Sequence, residues 1–522
     1  MRLITGERHE GTTMSESASR AVGGVRVETT HGLLEGLQRE RHQAFLGIPF
    51  AKAPTGPRRF GAPQRADAWK GVRAATEFGY SAIQGTSPIP GTAASGPRNE
   101  DCLHLNVYTP AADGSKRPVL FWIHGGGFTL GSGSEALYDG GPLATRGDIV
   151  VVAIHYRLGA LGYLYLGGHG GDAWGATANA GQLDQIAALE WVRDNIAAFG
   201  GDPNNVTIAG ESAGSMACAT LLAMPAARGL FKRAILQSGA ANRIGNTESG
   251  AKLAAAVLDK LGIAEKDAKK ILDVSADDIL KAQLSIPTIN MGLSFAPIVD
   301  GKTVPVNPLE AVANGAARDI DLIIGSNRDE AKLFVAVREG IDDAKLVERV
   351  QRIIPKRAAA RAGDLAGTYR KSRTAMKLPS TNLDILDAIT GDEMFRIPSI
   401  RLAEAQRKHQ PRTHMYLFTF ESPARRGALG ACHALELPFM FGTLDAPTQD
   451  KFAGHGPVVD ALSANMMDAW INFARGGDPS HAGIGQWNAY DATDRATMIF
   501  GRESYLERAP FEDERKAWDG IL

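Results

Sequence analysis

The run Gly210-Glu211-Ser212-Ala213-Gly214 has the G-x-S-x-G spacing that presents a serine hydroxyl as a nucleophile toward a carbonyl carbon. In a chain with 59 glycines a pentapeptide of this kind carries little weight alone, so its setting decides. Residues 205–210, NVTIAG, read as a strand, and residues 212–224, SAGSMACATLLAM, read as a helix ended by Pro225. A chain that turns from strand to helix over a single residue has room only for small neighbours. Gly210 and Gly214 supply that room, and the turn projects Ser212 Oγ from the end of the sheet. The new helix aims its positive end at the reacting oxygen. The plainer alternative is a strand, a glycine turn and a serine that caps a helix.

A second run, His124-Gly125-Gly126-Gly127-Phe128, follows the apolar strand 118–123. Attack on a carbonyl creates an alkoxide, which needs preorganised donors, and backbone N–H groups serve where no side chain blocks them. The expected donors are the N–H groups of Gly126, Gly127 and Ala213. A phosphate-cradling loop is the competing reading. It is the weaker one, because the chain has neither a G-x-G-x-x-G run nor a Walker lysine. His124 reads as a support of the loop.

A serine nucleophile needs a base and an acid that orients it, and in this arrangement the chain order is serine, acid, histidine. Late histidines are His409, His414, His433, His455 and His481. His409 and His414 flank a strand and read as structural, whereas His455 and His481 lie in polar segments and read as solvated. His433 lies in the loop after strand 414–420, where a base would be presented, although position alone leaves it in competition with the rest. For the acid, Asp329 and Glu330 are adjacent after strand 319–326, and spacing does not separate them. Asp300 is a third option, but Asp300-Gly301 reads more naturally as a turn.

These residues must be held by a sheet. The runs at 118–124 and 149–155 lack polar alternation, as expected for parallel strands covered on both faces, and 205–210, 233–238, 319–326 and 414–420 read as further strands. Residues 180–199 carry Leu183, Ile186, Leu189, Val192 and Ile196 at helical spacing, with Gly200-Gly201 as the stop and Asp202-Pro203 as a turn. Strands alternating with helices predict an α/β fold with a mostly parallel sheet. Residues 340–400 read as a helical insertion beside that sheet within one domain spanning 25–522. Residues 84–99 read as a long surface loop, and 1–24 as a loose tail in which Met14 is an alternative start.

Composition narrows the rest. The chain has 522 residues with a formal net charge of -1, which argues against nucleic acid or an acidic membrane surface as partner. No apolar run approaches a membrane span, and the N-terminus lacks a secretory signal. The cysteines, Cys102, Cys218 and Cys432, are widely spaced and show no zinc-like grouping. The expectation is a cytoplasmic monomer or homodimer that acts on a small molecule and uses no metal or cofactor.

Longer stretches sharpen this picture. FLGIPFAKAP (45–54), EDCLHLNVYTP (100–110), HGGGF (124–128), YRLGALGYL (156–164), residues 179–214, SNRDEAKLF (326–334) and HALELPFMFG (433–442) resemble the type-B carboxylesterase family. That group includes bacterial para-nitrobenzyl esterases and the cholinesterases. The resemblance implies an α/β-hydrolase fold and a serine carboxylesterase with Ser212 as nucleophile, Glu330 as acid and His433 as base. It places the oxyanion donors on Gly126, Gly127 and Ala213. It makes Glu211 a lining residue of the site, and Phe295 resembles an acyl-pocket position. The glycine-rich loop 167–175 would shape the alcohol side, while Ser238 and Glu436 fall on structural positions. Where relatives from oxidising compartments bridge the Cys of EDCL upstream, this chain has EFGYSAIQG, without a cysteine. It has no tryptophan between Trp69 and Trp122, where cholinesterases hold a quaternary ammonium. The same triad would serve a carbamate, an amide or a complex xenobiotic ester. A non-catalytic adhesion homologue would lack triad residues that this chain keeps.

Overall fold

The computed structural model describes residues 24–522 except 88–93, 171–173, 175–176, 287–293 and 335–339. The expected tail and alternative start, and parts of the loops at 84–99 and 167–175, lie outside the described residues.

Apolar strands pair into one large sheet. In chain order its strands are β1 (Gly24–Thr29), β2 (Gly32–Gln38), β3 (Gln43–Pro49), β4 (Val72–Ala74), β5 (His104–Thr109), β6 (Arg117–Ile123), β7 (Val150–Ile154), β8 (Gly201–Glu211) and β9 (Arg233–Gln237). A separate short pair joins β10 (Gly245–Asn246) to β11 (Ile298–Val299). The large sheet continues with β12 (Asp321–Asn327), β13 (Thr413–Phe418), β14 (Ala496–Phe500) and β15 (Ser504–Arg508). The spatial order is β1-β2-β3-β5-β7-β6-β8-β9-β12-β13-β14-β15, with β4 on β2. Every pairing from β7 through β14 is parallel, and the flanks pair antiparallel apart from β4, which lies parallel to β2. The central strands are buried along their whole length because apolar clusters cover both faces. Parallel strands pack this way wherever helices cross over both sides.

Two boundaries and one burial pattern differ from expectation. β8 begins at Gly201, since Gly201 pairs with Arg117 before the register shifts near Val119. Asp202-Pro203 therefore lies within the strand, although Gly200 does stop the preceding turn in left-handed conformation at φ 81°. The helix after Ser212 is Ala213–Leu221, and Pro225 opens a separate short turn. The helix Ala180–Asn195 is buried beyond its apolar stripe, because Asp184 makes a buried ion pair with Arg157 at 2.7 Å.

Helices Asp343–Ile353, Ala362–Ala375, Asn382–Gly391 and Ile397–Arg407 occupy the segment expected to be helical and run slightly past its end. Asn382–Gly391 packs on the turn Glu330–Leu333, and Ile397–Arg407 packs on β12 and β13. No helix among the described residues is long and apolar enough to cross a membrane.

Candidate active site

Ser212 stands between the end of β8 and the helix Ala213–Leu221 with φ 56° and ψ −122°, a conformation that costs an ordinary residue about 1–3 kcal/mol. Crowding explains the two glycines. A Cβ on Gly214 would lie 2.0 Å from Ile123 O, and one on Gly210 would lie 2.5 Å from the Gly214 carbonyl carbon. Ser212 N donates to Gln237 O at 2.9 Å, which ties the strained turn to β9. Ser238, just past β9, donates its N–H to Gly325 O at 2.9 Å and holds φ 50°.

The glycine loop after β6 lies directly on this turn. A Cβ on Gly125 would come within 3.2 Å of Ser212 Cβ, and one on Gly126 within 2.2 Å of Leu130 O. Gly126 and Gly127 both take positive φ, 107° and 63°. His124 stacks on Tyr156 at 4.5 Å, and Tyr156 Oη donates to His124 O at 2.8 Å. Burial holds His124 down to about 4, so it is neutral at pH 7 and supports the loop. A further brace was hidden in the segment read as a surface loop. Gln84 is buried, donates to Gly131 O at 2.8 Å and accepts from Gly131 N at 2.9 Å.

His433 and Glu330 meet across the loops that follow β13 and β12. Their contact, His433 Nδ1 to Glu330 Oε2, is 2.6 Å and fully buried. Glu330 Oε1 accepts from Asn327 N at 2.8 Å, which leaves Oε2 facing the imidazole. The other ring nitrogen, Nε2, faces Glu211 Oε1 at 2.9 Å. Among the described residues no hydrogen bond joins Ser212 Oγ to His433. Phe395 stacks on the imidazole at 4.7 Å, and Phe334 tilts against it at 5.1 Å.

Charge is concentrated here. Burial alone would lower His433, but Glu211 and Glu330 outweigh it and raise the imidazole well above its ordinary value. Burial raises Glu211, against the pull of His433. Glu436 is pushed up to about 8 by burial and by the two other carboxylates. Its oxygens accept from Asn327 Nδ2 at 2.6 Å and Gln237 Nε2 at 3.2 Å. Cys432 is buried, and desolvation pushes its thiol up, so it packs and does not ionise.

Of the sequence-derived candidates, Ser212, Glu211, Glu330, His433 and the Gly125–Gly127 loop come together. Phe295 is buried in the larger apolar cluster and makes no ring contact with His433 among the described residues. Asp329 points away from His433 and pairs with Arg328 at 2.7 Å. Asp300 closes a turn by accepting from Lys302 N and Val304 N. His414 is buried against Phe473 and Trp487. His455 is exposed, whereas His481, expected to be solvated, is half-buried and bonded to Asn465 O at 3.0 Å. Asn327, Gln84 and Phe395 were missed. Only Asn327, the polar residue ending β12, left a signal. Among the described residues no group of His, Cys, Asp and Glu side chains is placed to hold a metal ion.

A mostly parallel sheet with helices on both faces and a serine on a strained strand-to-helix turn define an α/β-hydrolase. Residues 24–518 match the carboxylesterase family. The chain is similar to the para-nitrobenzyl esterase of Bacillus subtilis (strain 168), with 40% identity over 94% of this chain and 97% of that one. It is also similar to the phenmedipham hydrolase of Pseudarthrobacter oxydans, with 36% identity over 91% of this chain and 95% of that one. A solved carboxylesterase of Geobacillus stearothermophilus superposes with a TM-score of 0.84 at 40% identity, covering 94% of this chain and 99% of that one. The chain belongs to the carboxylesterase family and is a serine hydrolase of carboxylic esters.

Proposed function

We propose that Ser212, His433 and Glu330 form the catalytic triad, with the N–H groups of Gly126, Gly127 and Ala213 as the oxyanion hole. The observation that carries this reading is the buried 2.6 Å bond from His433 Nδ1 to Glu330. It sets the tautomer, leaving Nε2 as the atom that exchanges protons on the side where Glu211 adjoins Ser212. For the reaction, Nε2 gives up its proton to solvent, leaves Glu211 as the free nitrogen of the neutral imidazole, and takes the Ser212 proton as Oγ attacks the acyl carbon. The three N–H groups stabilise the tetrahedral oxyanion. Collapse of that intermediate breaks the bond to the alcohol oxygen, which leaves with the proton from His433. Water then gives a proton to the same histidine and attacks the acyl-enzyme, releasing the acid and restoring Ser212. Glu330 balances the imidazolium in both halves, and Glu211 lines the site beside it.

The substrate is a small-molecule ester, with Phe295 on the acyl side. Amides and carbamates are open to the same chemistry, and turnover of matched ester, amide and carbamate substrates ranks them. The three cysteines, all buried thiols, fit a reducing, cytoplasmic setting. The deciding experiment is hydrolysis of para-nitrophenyl acetate, butyrate and octanoate by the wild type and Ser212→Ala. Turnover in the variant should fall on the order of a million-fold. Activity that survives the substitution sinks the assignment of Ser212.

A further inference from the structure

The acid and the histidine of the site sit on two loops separated by about a hundred residues, yet their bond is as short as a well-aligned charged pair allows. Something must hold the loops in register. The residue next to the acid does this twice. Asp329 N donates to Ala431 O at 2.9 Å, and Asp329 Oδ2 accepts from Ala431 N at 3.0 Å. Asp329 immediately precedes Glu330, and Ala431 lies two positions before His433. One residue therefore closes a two-point ring between the acid loop and the histidine loop.

The carboxylate in that ring is buried, with 2% of its side chain exposed. It is held charged. Burial would raise it, but Arg328 and Lys332 outweigh burial and hold it down to about 2. Arg328 Nη2 lies 2.7 Å away and Lys332 Nζ lies 3.3 Å away. Arg373, from the helix Ala362–Ala375, lies within 4.0 Å of Asp329 and also pairs with Glu514 near the C-terminus at 3.4 Å. The opposite loop is shaped to receive this carboxylate. Gly430 adopts φ 56°, and a Cβ there would stand 2.6 Å from Asp329 Oδ2.

We propose that Asp329 is a positioning residue for the reaction. Through its two bonds to Ala431 it sets the distance and angle at which Glu330 meets His433. The proposal rests on the triad reading above. Asp329 touches neither substrate nor the reacting atoms, so its effect passes through the imidazole. Loosening the ring displaces Glu330 from Nδ1 while leaving the walls that bind the ester in place. A misplacement of about 1 Å at reacting groups costs about 100-fold in rate.

The test uses the full chain with para-nitrophenyl butyrate, assayed well below the melting temperature of each variant. In Asp329→Ala, kcat should fall about 100-fold while KM stays within about threefold and circular dichroism matches the wild type. Asp329→Asn keeps an oxygen for the Ala431 N–H and should recover at least about tenfold over the alanine variant. A folded Asp329→Ala with kcat within about threefold of wild type would mean a purely structural role and overturns the proposal. Should Asp329→Ala fail to fold, Gly430→Ala decides by the same thresholds, because its methyl displaces the carboxylate without removing any charge. Ser212→Ala separates the two readings. If that variant stays active, the triad assignment fails and takes this proposal with it. If it is dead while Asp329→Ala and Gly430→Ala are neutral, only the role of Asp329 is wrong.

Discussion

The two halves of the proposed site are built from different materials. The nucleophile half, Ser212 with the Gly125–Gly127 loop, is made of backbone. Its shape comes from positive φ values and from the absence of Cβ atoms at Gly210, Gly214 and Gly126. The acid–base half is made of side chains, with Glu330 and His433 on two distant loops and Glu211, from the end of β8, buried on the other side of the imidazole. The first half is shaped by steric exclusion, since a Cβ at Gly214 or Gly126 would collide with backbone. The second depends on hydrogen bonds and compensating charges, and a buried charge that loses its partner is costly. The nucleophile half should therefore respond to substitution through geometry, and the acid–base half through protonation.

The largest separation between the halves is expected at Glu330→Gln. The amide keeps the shape but lets His433 adopt the wrong tautomer, so kcat should fall on the order of ten-thousand-fold with little change in KM. Steady-state kinetics of the folded variant check this, and a loss under tenfold would move the orienting role elsewhere. On the other side, Gly126→Ala should cost about 100- to 1000-fold in kcat, because a methyl 2.2 Å from Leu130 O twists one donor out of place. Its pH profile should keep the wild-type shape, which marks a purely geometric loss.

A smaller effect comes from Glu211→Gln. In the resting site Glu211 stabilises protonated His433, so the imidazole gives up its proton only at raised pH. In the proposed mechanism neutral His433 is the form that acts as base. Removing the charge should therefore move the acidic limb of kcat/KM about 1–3 pH units toward lower pH, the reach of one close charge. A limb that stays fixed would show that Glu211 does not govern this titration. The smallest change is expected at Tyr156→Phe, which removes the hydrogen bond to His124 O beneath the glycine loop. Thermal unfolding should report a loss of about 1 kcal/mol, with activity within about threefold of wild type.

The same contrast explains what could be read from residues in order. The nucleophile half is local, because strand, glycine, serine, glycine and helix follow one another and each obeys its own short-range rule. The central strands were equally plain, since burial on both faces leaves continuous apolar runs such as residues 149–155. Position along the chain did not single out His433 among the late histidines or separate Asp329 from Glu330; family resemblance was needed for both. In space the candidates separate by their contacts. Glu330 turns toward Nδ1, while Asp329 turns toward Arg328 and Ala431. Gln84 was misjudged for the same reason. A glycine- and proline-rich neighbourhood looks solvated, yet its amide satisfies both backbone groups of Gly131.

The sequence by itself determined the parallel sheet, the strained serine turn and the glycine loop, because these follow from periodicity and from where a Cβ is forbidden. Tertiary structure alone decided that the imidazole lies between two glutamates, that Phe395 packs on its face, and that Asn327 links Glu330 to Glu436. Those contacts join residues far apart in the chain, and their energies depend on burial and on charges that no local window contains.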